Sequence, residues 1–368
     1  MRNNYYIGLM SGTSMDAVDA ALVDISEQKI QLVEHHEEPI PEHLLNQLHQ
    51  LCLPSNNEIN TMGRIDREIG LLFAQATQTL LQKANIKATT VTAIGSHGQT
   101  IRHMPNSNMP FSLQIGNPNV IATETQIDVI ADFRNKDMAL GGQGAPLVPA
   151  FHQAFFAHAN KVRFVLNIGG IANITFLNGL NDVLGYDTGP GNTLMDVWSR
   201  KINGDAYDKD GQFAAQGTVS SELLTHLLSH HYFKQMPPKS TGRELFNDLW
   251  LETQLTQFAQ LSSEDIQATL LEFTIQSIAD AIKQHAKSGE VFVCGGGACH
   301  PIIMKRLKET LNNFHVSTTE ELDLHPMWVE AVAFAWLAHQ FKEKKPSNLP
   351  QVTGASREAI LGAFYPWE

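Results

Sequence analysis

The residues best suited to chemistry lie in short glycine-bearing loops that interrupt apolar runs of the sequence. In the first of these loops, Gly12 lets another group approach the backbone closely. Thr13 and Ser14 supply hydroxyl groups, and Asp16 and Asp19 can hold a cation directly or through water. A loop rich in N–H donors beside carboxylates suits a phosphate group with its Mg²⁺. An ordinary hairpin turn explains the same residues equally well, so this loop alone does not settle the function.

Two later loops, Gly169–Asn173 and Cys294–Gly297, have the same character and also follow predicted strands. Each places backbone N–H groups where they could face an anion, although a single glycine pair is more often a plain turn. Together with the first loop they suit a polyphosphate contacted from two sides, and the third loop could also lie against a nucleotide base or ribose. None has the Walker A spacing or a GxGxxG motif opening a βαβ unit, which argues against P-loop and Rossmann proteins.

Asp187 is the candidate general base. The stretch LGYDTGPGN carries this carboxylate from a predicted strand into a loop with a Gly-Pro-Gly sequence, and a helix opens near Thr193. A partly buried carboxylate at such a turn has a pKa suited to accepting a proton. Asp187 could instead cap the helix or begin a turn. Gly-Pro-Gly restricts the backbone more than a cap requires, and this favours a catalytic role.

Other polar residues are candidate contacts for a substrate or a metal. His97 and Gln99, in the SHGQT motif at the end of a predicted strand, suit the hydroxyl groups or amide of a sugar. Arg134 could pair with an anionic group of the substrate, but an isolated arginine is usually a surface charge. Glu330 lies in an otherwise apolar helix, either as a surface carboxylate or as a contact to metal-bound water or nucleotide. The histidine and cysteine spacings fit no structural zinc site.

The composition limits the class of protein. A chain of 368 residues is long enough for two domains, and 43% hydrophobic residues with 26 glycines fit a compact enzyme. The net charge of −12 argues against nucleic acid as a partner, because phosphate backbones bind basic surfaces. No apolar run approaches the ~20 residues that span a bilayer, no signal peptide precedes the first strand, and the 3 cysteines form no disulfide framework. We therefore expect a cytoplasmic protein.

The hydrophobic patterns predict an α/β fold in which the order β-β-β-α-β-α-β occurs twice. The first predicted domain comprises residues 1–137 with a C-terminal region at about 340–368. The glycine- and proline-rich stretch Met138–Pro149 is the predicted junction. The second predicted domain comprises residues 138–339, with a helical insertion at about 203–263.

Eight motifs give the chain a resemblance to the anhydro-N-acetylmuramic acid kinases. They occur in order over nearly the whole sequence and read GLMSGTSMDAVDAAL, SHGQT, ADFR, GGQGAPLVP, NIGGIANIT, GYDTGPGN, VCGGGACHP and WVEAVAFA. The fold that this resemblance implies is the actin, sugar-kinase and heat-shock-chaperone ATPase fold, with two RNase-H-like domains around an ATP cleft. The order of elements predicted from the hydrophobic patterns is the one that this fold requires.

The resemblance implies an ATP-dependent reaction on 1,6-anhydro-N-acetylmuramic acid, a sugar released during cell-wall recycling. Water opens the anhydro bridge at C1, O6 takes the γ-phosphoryl group, and the products are N-acetylmuramic acid 6-phosphate and ADP. ATP and Mg²⁺ are the implied cofactors. The expected partners are the small-molecule amino sugar and a second copy of the chain in a homodimer, with neither nucleic acid nor a membrane.

The resemblance also carries roles to individual residues. Asp187 falls on the general base that activates water, and Glu330 and Asp16 are the expected Mg²⁺ ligands. The expected substrate contacts are His97, Gln99, Arg134, Thr188 and Gly189. The expected ATP-binding residues are Gly12, Thr13, Ser14, Met15, Asp16, Ala17, Val18, Asp19, Gly169, Gly170, Asn173, Gly295, Gly296 and Gly297. The family usually has Leu-Asp-Gly where this chain has Met15, Asp16 and Ala17, and the loss of one glycine should not alter the chemistry.

Three other functions fit parts of the pattern. Another sugar or acid kinase of the same fold would act on ordinary hexoses rather than on the anhydro sugar. An ATP-free hydrolase with Thr13 or Ser14 as its nucleophile has no His-Asp partner close by in the sequence. A nucleotide-driven assembly protein would leave the geometry of the GYDTGPGN motif without a purpose.

Overall fold

The computed structural model describes residues 4–12, 15–26, 29–54, 56–237, 239–242 and 244–368. These residues form two compact units. Unit 1 comprises the chain up to Phe155 together with Trp328–Glu368, and unit 2 comprises Phe156–Met327. Within the described ranges, no helix is long and apolar enough to cross a membrane.

Both units contain helices and strands. The first run of elements is β1 (Tyr5–Ser11), β2 (Ala17–Ser26), β3 (Lys29–Pro39), α1 (Glu42–Leu51), α2 (Glu58–Ala84), β4 (Val91–Met104), β5 (Phe111–Ile115), α3 (Pro118–Thr125), β6 (Val129–Ala131), α4 (Phe133–Ala139) and α5 (Val148–Phe156). Unit 2 continues with β7 (Val162–Ile168), β8 (Ile171–Asn178), β9 (Asp182–Pro190), α6 (Thr193–Asn203), α7 (Ser221–Leu228), α8 (Asp248–Leu255), α9 (Ser263–His285), β10 (Gly289–Cys294), α10 (Pro301–Thr310) and β11 (Phe314–Thr318). The chain returns to unit 1 with α11 (Val329–Lys342), α12 (Pro350–Thr353) and β12 (Ala363–Tyr365).

The sheet of unit 1 has the strand order β12-β6-β4-β1-β2-β3, and β5 pairs with β4 outside this path. Strands β1, β2 and β3 form an antiparallel meander, and β4 lies parallel to β1 on its other side. Strand β6 continues the parallel part, and β12 closes that edge antiparallel to β6. The C-terminal tail is therefore part of the unit 1 sheet.

The sheet of unit 2 has the strand order β11-β10-β7-β8-β9. Strands β7, β8 and β9 form an antiparallel meander, β10 is parallel to β7, and β11 is parallel to β10. Each unit thus combines an antiparallel meander with parallel strands in the order typical of RNase-H-like folds. The predicted α/β class and its repeated organisation are confirmed.

Helix α11 packs directly on the backbone of the unit 1 sheet. A Cβ atom at Gly8 of β1 would lie 1.7 Å from a carbonyl oxygen of this helix, and one at Gly95 of β4 would lie 2.0 Å from another. No side chain fits at such distances, so both positions require glycine. Residues 328–339 therefore belong to unit 1. Residues 138–155 also belong to unit 1, although the sequence placed both segments in the second predicted domain.

Two strands extend further than predicted, and both carry candidate site residues. Strand β4 continues through the SHGQT motif because its second half pairs with β5. Strand β9 continues beyond Asp187 because Gly189 still pairs with β8. Helix α6 begins only at Thr193. Asp187 therefore lies inside a strand, and it neither caps the helix nor begins a turn.

The long helices follow the apolar spacing of the sequence. Helix α2 buries Ile65, Ile69 and Phe73 completely against the sheet of unit 1. In α9, the Ser262 hydroxyl accepts a hydrogen bond from the Asp265 N–H at 3.1 Å, so Ser262 caps this helix. These helices fix the cores from which the site loops emerge.

Candidate active site

In unit 1, hydrogen bonds hold the two described ends of the first glycine loop, Gly12 and Met15. The Met15 N–H donates to the Gly12 carbonyl at 3.2 Å, and Met15 has a φ of 60°, in the left-handed region. Gln99 Nε2 donates to the same carbonyl at 3.3 Å, and the Ser11 hydroxyl lies 2.7 Å from Gln99 Oε1. Gln99, expected to contact the substrate, is buried and supports this loop.

The other expected ATP-binding residues of this loop have different environments. Thr13 and Ser14 lie outside the described residues. The side chains of Met15 and Val18 are buried in the core of unit 1, so these two residues can offer a ligand no more than their backbone. Ala17 pairs with β3 at the start of β2.

A group of carboxylates lies beside this loop in unit 1. Burial, and then the charges of Glu37, Glu330 and Asp16, together raise the pKa of Asp19 from 3.8 to about 7. Asp16 and Glu330, the expected Mg²⁺ ligands, are thus both close enough to Asp19 to act on its charge. Among the described residues, no three His, Cys, Asp or Glu side chains are placed to hold a metal ion by themselves.

His97 and Arg134 form a buried pair in the same unit. Arg134 donates to His97 Nε2 through Nε at 3.1 Å and through Nη2 at 2.9 Å, and its Nη1 donates to the Gly144 carbonyl at 2.7 Å. Burial lowers the pKa of Arg134 to about 10, opposed by the charges of Glu330 and Asp137. The structure therefore brings together His97, Arg134 and Glu330, three residues that the sequence singled out separately.

Asp187 is held by groups of the insertion that follows α6 in unit 2. Its main-chain N–H donates to the Lys239 carbonyl at 3.4 Å, and its carbonyl accepts from the Tyr232 hydroxyl at 2.5 Å. Its carboxylate Oδ2 accepts from the Thr241 N–H at 3.0 Å. Burial raises the pKa of this carboxyl from 3.8 to about 7, because it outweighs the Thr241 N–H and the Lys239 charge, and Glu244 adds to the rise. Asp187 can therefore accept a proton near neutral pH.

The two residues after Asp187, both expected substrate contacts, are packed against protein atoms. The Thr188 hydroxyl donates to the Ala172 carbonyl at 3.2 Å. A Cβ atom at Gly189, where φ is 147°, would lie 2.8 Å from the ring of Phe233. A substrate contact at either position would have to use the backbone.

The second and third glycine loops lie against each other in unit 2. A Cβ atom at Gly295 would lie 2.3 Å from Asn167 Oδ1, and one at Gly297 would lie 2.4 Å from the side chain of Ile168. Both contacts are to the end of β7, directly before the second loop. Asn173 pairs in register with Asn167 and with Asp187, so β8 connects these loops to the candidate base.

The segment before α6 completes this cluster. The N–H groups of Gly191 and Asn192 donate to the carbonyls of Gly170 and Gly169 at 2.9 and 2.8 Å. Gly296 differs from its neighbours, because it is exposed and a Cβ atom there would have no described atom closer than 3.7 Å. The cluster therefore has an open glycine edge at Gly296, where a ligand can approach the backbone.

The sequence missed the residues that hold Asp187: Tyr232, Lys239 and Thr241. They lie in an insertion without a recognisable motif, and two of their three contacts use main-chain atoms that any residue type supplies. The Tyr232 hydroxyl is the one side-chain group among these contacts, and an isolated tyrosine gives no pattern in a single sequence.

Two units with RNase-H-like strand order, glycine loops at strand ends and a buried carboxylate are features of two-domain α/β kinases. The family model for anhydro-N-acetylmuramic acid kinase matches residues 4–367. The anhydro-N-acetylmuramic acid kinase of Shewanella sp. (strain ANA-3) is 60% identical over 366 residues, covering 99% of each chain. That of Shewanella pealeana is 58% identical over 367 residues, covering 100% of each chain. The chain belongs to the anhydro-N-acetylmuramic acid kinase family.

Solved structures of other proteins are more distant from this chain. Component A of the (R)-2-hydroxyglutaryl-CoA dehydratase of Acidaminococcus fermentans superposes with a TM-score of 0.47 at 12% identity, over 90% of this chain and 96% of that chain.

Proposed function

We propose that the protein uses ATP and water to convert 1,6-anhydro-N-acetylmuramic acid into N-acetylmuramic acid 6-phosphate and ADP. The proposal is supported by the family to which the whole chain belongs and by the raised pKa of Asp187. The raised pKa is the observation on which the proposed mechanism rests. A carboxyl with a pKa of about 7 is largely ionised at slightly alkaline pH and still basic enough to accept a proton from water.

In the proposed reaction, Asp187 accepts a proton from a water molecule whose oxygen bonds to C1 of the sugar. The C1–O6 bond breaks and its electron pair goes to O6. O6 then bonds to the γ-phosphorus of ATP, and the bond from that phosphorus to the β–γ bridging oxygen breaks to release ADP. No separate acid has to protonate O6, because the phosphoryl group takes its place. The proton held by Asp187 passes to solvent when the cycle ends.

The nucleotide side of the proposal rests on the glycine loops and the carboxylates. The open edge at Gly296 in unit 2 and the backbone at Gly12 in unit 1 are each suited to a phosphate group near the backbone, where N–H groups stabilise developing charge. In unit 1, the negative charge that raises the pKa of Asp19 fits a nearby cation. Mg²⁺, when bound, would neutralise phosphate charge, and one or two carboxylates such as Asp16 and Glu330 would hold it with water and phosphate oxygens.

Mass spectrometry of the products formed in ¹⁸O-labelled water tests the reaction. We expect one ¹⁸O atom at C1 and the phosphate on O6, with one ADP formed per sugar. Labelled phosphate without labelled sugar would mean that the protein only hydrolyses ATP. Phosphorylation of ordinary hexoses without activity on the anhydro sugar would favour another sugar kinase of this fold.

Replacement of the base tests the role of Asp187. Asp187→Asn keeps the size of the side chain but cannot accept a proton, so we expect kcat to fall by about 10³-fold with ATP binding retained. Turnover close to that of the natural enzyme would overturn the assignment of the base. Isothermal titration with a non-hydrolysable ATP analogue provides the binding measurement.

The cellular setting is also part of the proposal and rests on family membership. The reaction would serve peptidoglycan recycling and amino-sugar degradation in the cytoplasm, and the enzyme would act as a homodimer. Multi-angle light scattering after size exclusion tests the dimer, and a monomeric mass at micromolar concentration would contradict it.

A further inference from the structure

The candidate base lies at an unusual place in its sheet. Strand β9 is the edge strand of unit 2, and only β8 pairs with it on one side among the described strands. At Asp187 the open side is covered by Tyr232, Lys239 and Thr241, which we call the clamp residues. They occupy the main-chain N–H, the main-chain carbonyl and one carboxylate oxygen of this single residue.

Tyr232 is itself firmly anchored among aromatic side chains. The ring of Tyr232 is 2% exposed and packs edge-on against Phe246 with their centroids 5.8 Å apart. The neighbouring Phe233 packs against Phe273 of α9 at 5.3 Å and fills the space left by Gly189. Aromatic packing of this kind fixes position as well as adding buried area.

The Lys239 side chain adds to this anchoring. Its Nζ lies 4.7 Å from the ring centroid of Tyr232 and donates to the Tyr232 carbonyl at 3.3 Å. Asp187 is thus bonded to groups outside the sheet, and the Thr241 N–H occupies one of its two carboxylate oxygens, Oδ2.

We propose that the clamp residues orient the Asp187 carboxylate for proton transfer, with Tyr232 and Thr241 as positioning residues. This inference rests on the proposed function of Asp187 as the base. A base must be held within a few tenths of an ångström of its working position, and a residue on an edge strand lacks that support from its own sheet. The insertion therefore supplies part of the catalytic geometry, although it lies outside the RNase-H-like core.

The first test compares two buried tyrosines. Tyr232→Phe removes the hydroxyl that bonds Asp187, whereas Tyr186→Phe removes a hydroxyl whose partners are the Ala281 carbonyl and His285 Nε2. We expect Tyr232→Phe to lower kcat by about ten-fold, with both KM values within about two-fold of the natural enzyme, and Tyr186→Phe to leave kcat within about two-fold. Equal effects of the two substitutions would reduce Tyr232 to a structural role.

The second test removes the hydrogen bond to the carboxylate. Thr241→Pro deletes the N–H group, and Thr241→Ala keeps it. The charged groups facing Asp187, Lys239 and Glu244, are present in both variants. We expect the pKa of Asp187, measured by NMR of ¹³C-carboxyl-labelled aspartate and assigned with Asp187→Asn, to rise by about one unit in Thr241→Pro alone.

The two readouts separate failure of this inference from failure of the proposed function. If the pKa of Asp187 shifts in Thr241→Pro but the natural protein does not convert the anhydro sugar, the inference about positioning stands and the proposed reaction is rejected. If the natural protein converts the anhydro sugar, but the pKa of Asp187 does not move in Thr241→Pro and kcat does not change in Tyr232→Phe, the inference about positioning is rejected and the proposed reaction stands. If Thr241→Pro does not fold, as judged by circular dichroism, the kcat comparison of the tyrosine variants decides the inference.

Discussion

Arg134 donates two hydrogen bonds to one nitrogen of His97, at 3.1 and 2.9 Å from Nε2. A guanidinium group has no acceptor, so Nε2 must supply its lone pair and the proton of the neutral ring must be on Nδ1. Burial, and then the charge of Arg134, hold the pKa of His97 well below 6.5. His97 is therefore a neutral residue that cannot serve as an acid at neutral pH.

NMR of the ¹⁵N-histidine-labelled protein tests this assignment. We expect His97 to give the signals of the Nδ1–H tautomer and to stay neutral between about pH 5 and 8, because burial beside a cation opposes a second charge. His97→Gln identifies the signals. An Nε2–H tautomer, or a ring that gains its charge near its usual pKa, would contradict the pairing with Arg134.

The stability of the natural protein relative to Asp187→Asn should depend on pH in a direction fixed by the pKa of Asp187. The folded protein binds this proton more tightly than the unfolded chain, since the pKa is about 7 rather than 3.8. The carboxyl thus contributes stability that is fully present below 3.8 and is lost as the pH rises through about 7. Asp187→Asn does not incur this loss. Its free energy of unfolding, relative to that of the natural protein, should therefore increase by about 2 kcal/mol when the pH is raised from about 5 to about 8.

Chemical denaturation at both pH values measures this difference. Parallel changes in the unfolding free energies of the two proteins would mean that Asp187 is ionised in the fold throughout this range. Asp182→Asn, at the exposed start of the same strand, serves as the control.

The sequence predicted much of the fold because local patterns determined it. The Ser262 cap of α9 and the apolar face of α2 depend on residues close together in the chain. The ends of β4 and β9 could not be predicted in this way, because each strand continues only as far as its distant partner pairs with it. The packing of α11 depends in the same way on two glycines of other elements, Gly8 and Gly95.

The parts of the candidate site that lie in sequence motifs could be predicted. Asp187 and the loops at Gly169 and Gly295 were found from spacing and residue type, and family resemblance gave them roles. Gln99 was expected to contact the substrate, and the bonds that its buried side chain makes to Gly12 and Ser11, both far away in the sequence, could not be predicted. Tyr232 was missed because its contact is to a main-chain carbonyl far away in the sequence.

Substitution of Gly8 tests the packing of α11. Gly8→Ala places a Cβ atom 1.7 Å from a backbone oxygen of this helix, so we expect a loss of at least about 3 kcal/mol in the free energy of unfolding. Gly63→Ala is the matched control, because Gly63 lies in α2 with nothing within 4 Å of the new atom. The free energy of unfolding of Gly63→Ala should rise by about 0.5–1 kcal/mol, because alanine has a higher helix propensity than glycine. Similar losses for both variants in urea denaturation would contradict the packing argument.

A second pair of glycines separates loop packing from ligand binding. Gly191→Ala places a Cβ atom 2.3 Å from the Gly169 carbonyl and should lower the melting temperature by several degrees. Gly296→Ala meets no described atom closer than 3.7 Å, so it should melt like the natural protein. If nucleotide approaches the open edge, Gly296→Ala will bind a non-hydrolysable ATP analogue about ten-fold more weakly in isothermal titration. Unchanged binding by a normally folded Gly296→Ala would remove this loop from the nucleotide site.

The pH dependence of the reaction should identify the base among two carboxyls with a pKa of about 7, Asp187 and Asp19. A base works only when ionised, so kcat/KM should rise with pH and level off above about 7, with a slope of about one on a logarithmic plot. Asp19→Asn removes the unit 1 carboxyl and should lower the rate while keeping this slope, because Asp187 still titrates. Asp187→Asn should leave a residual rate that does not vary over the same range. A profile that becomes flat in Asp19→Asn and keeps its slope in Asp187→Asn would transfer the role of base to Asp19, and with it the water-activating step to unit 1.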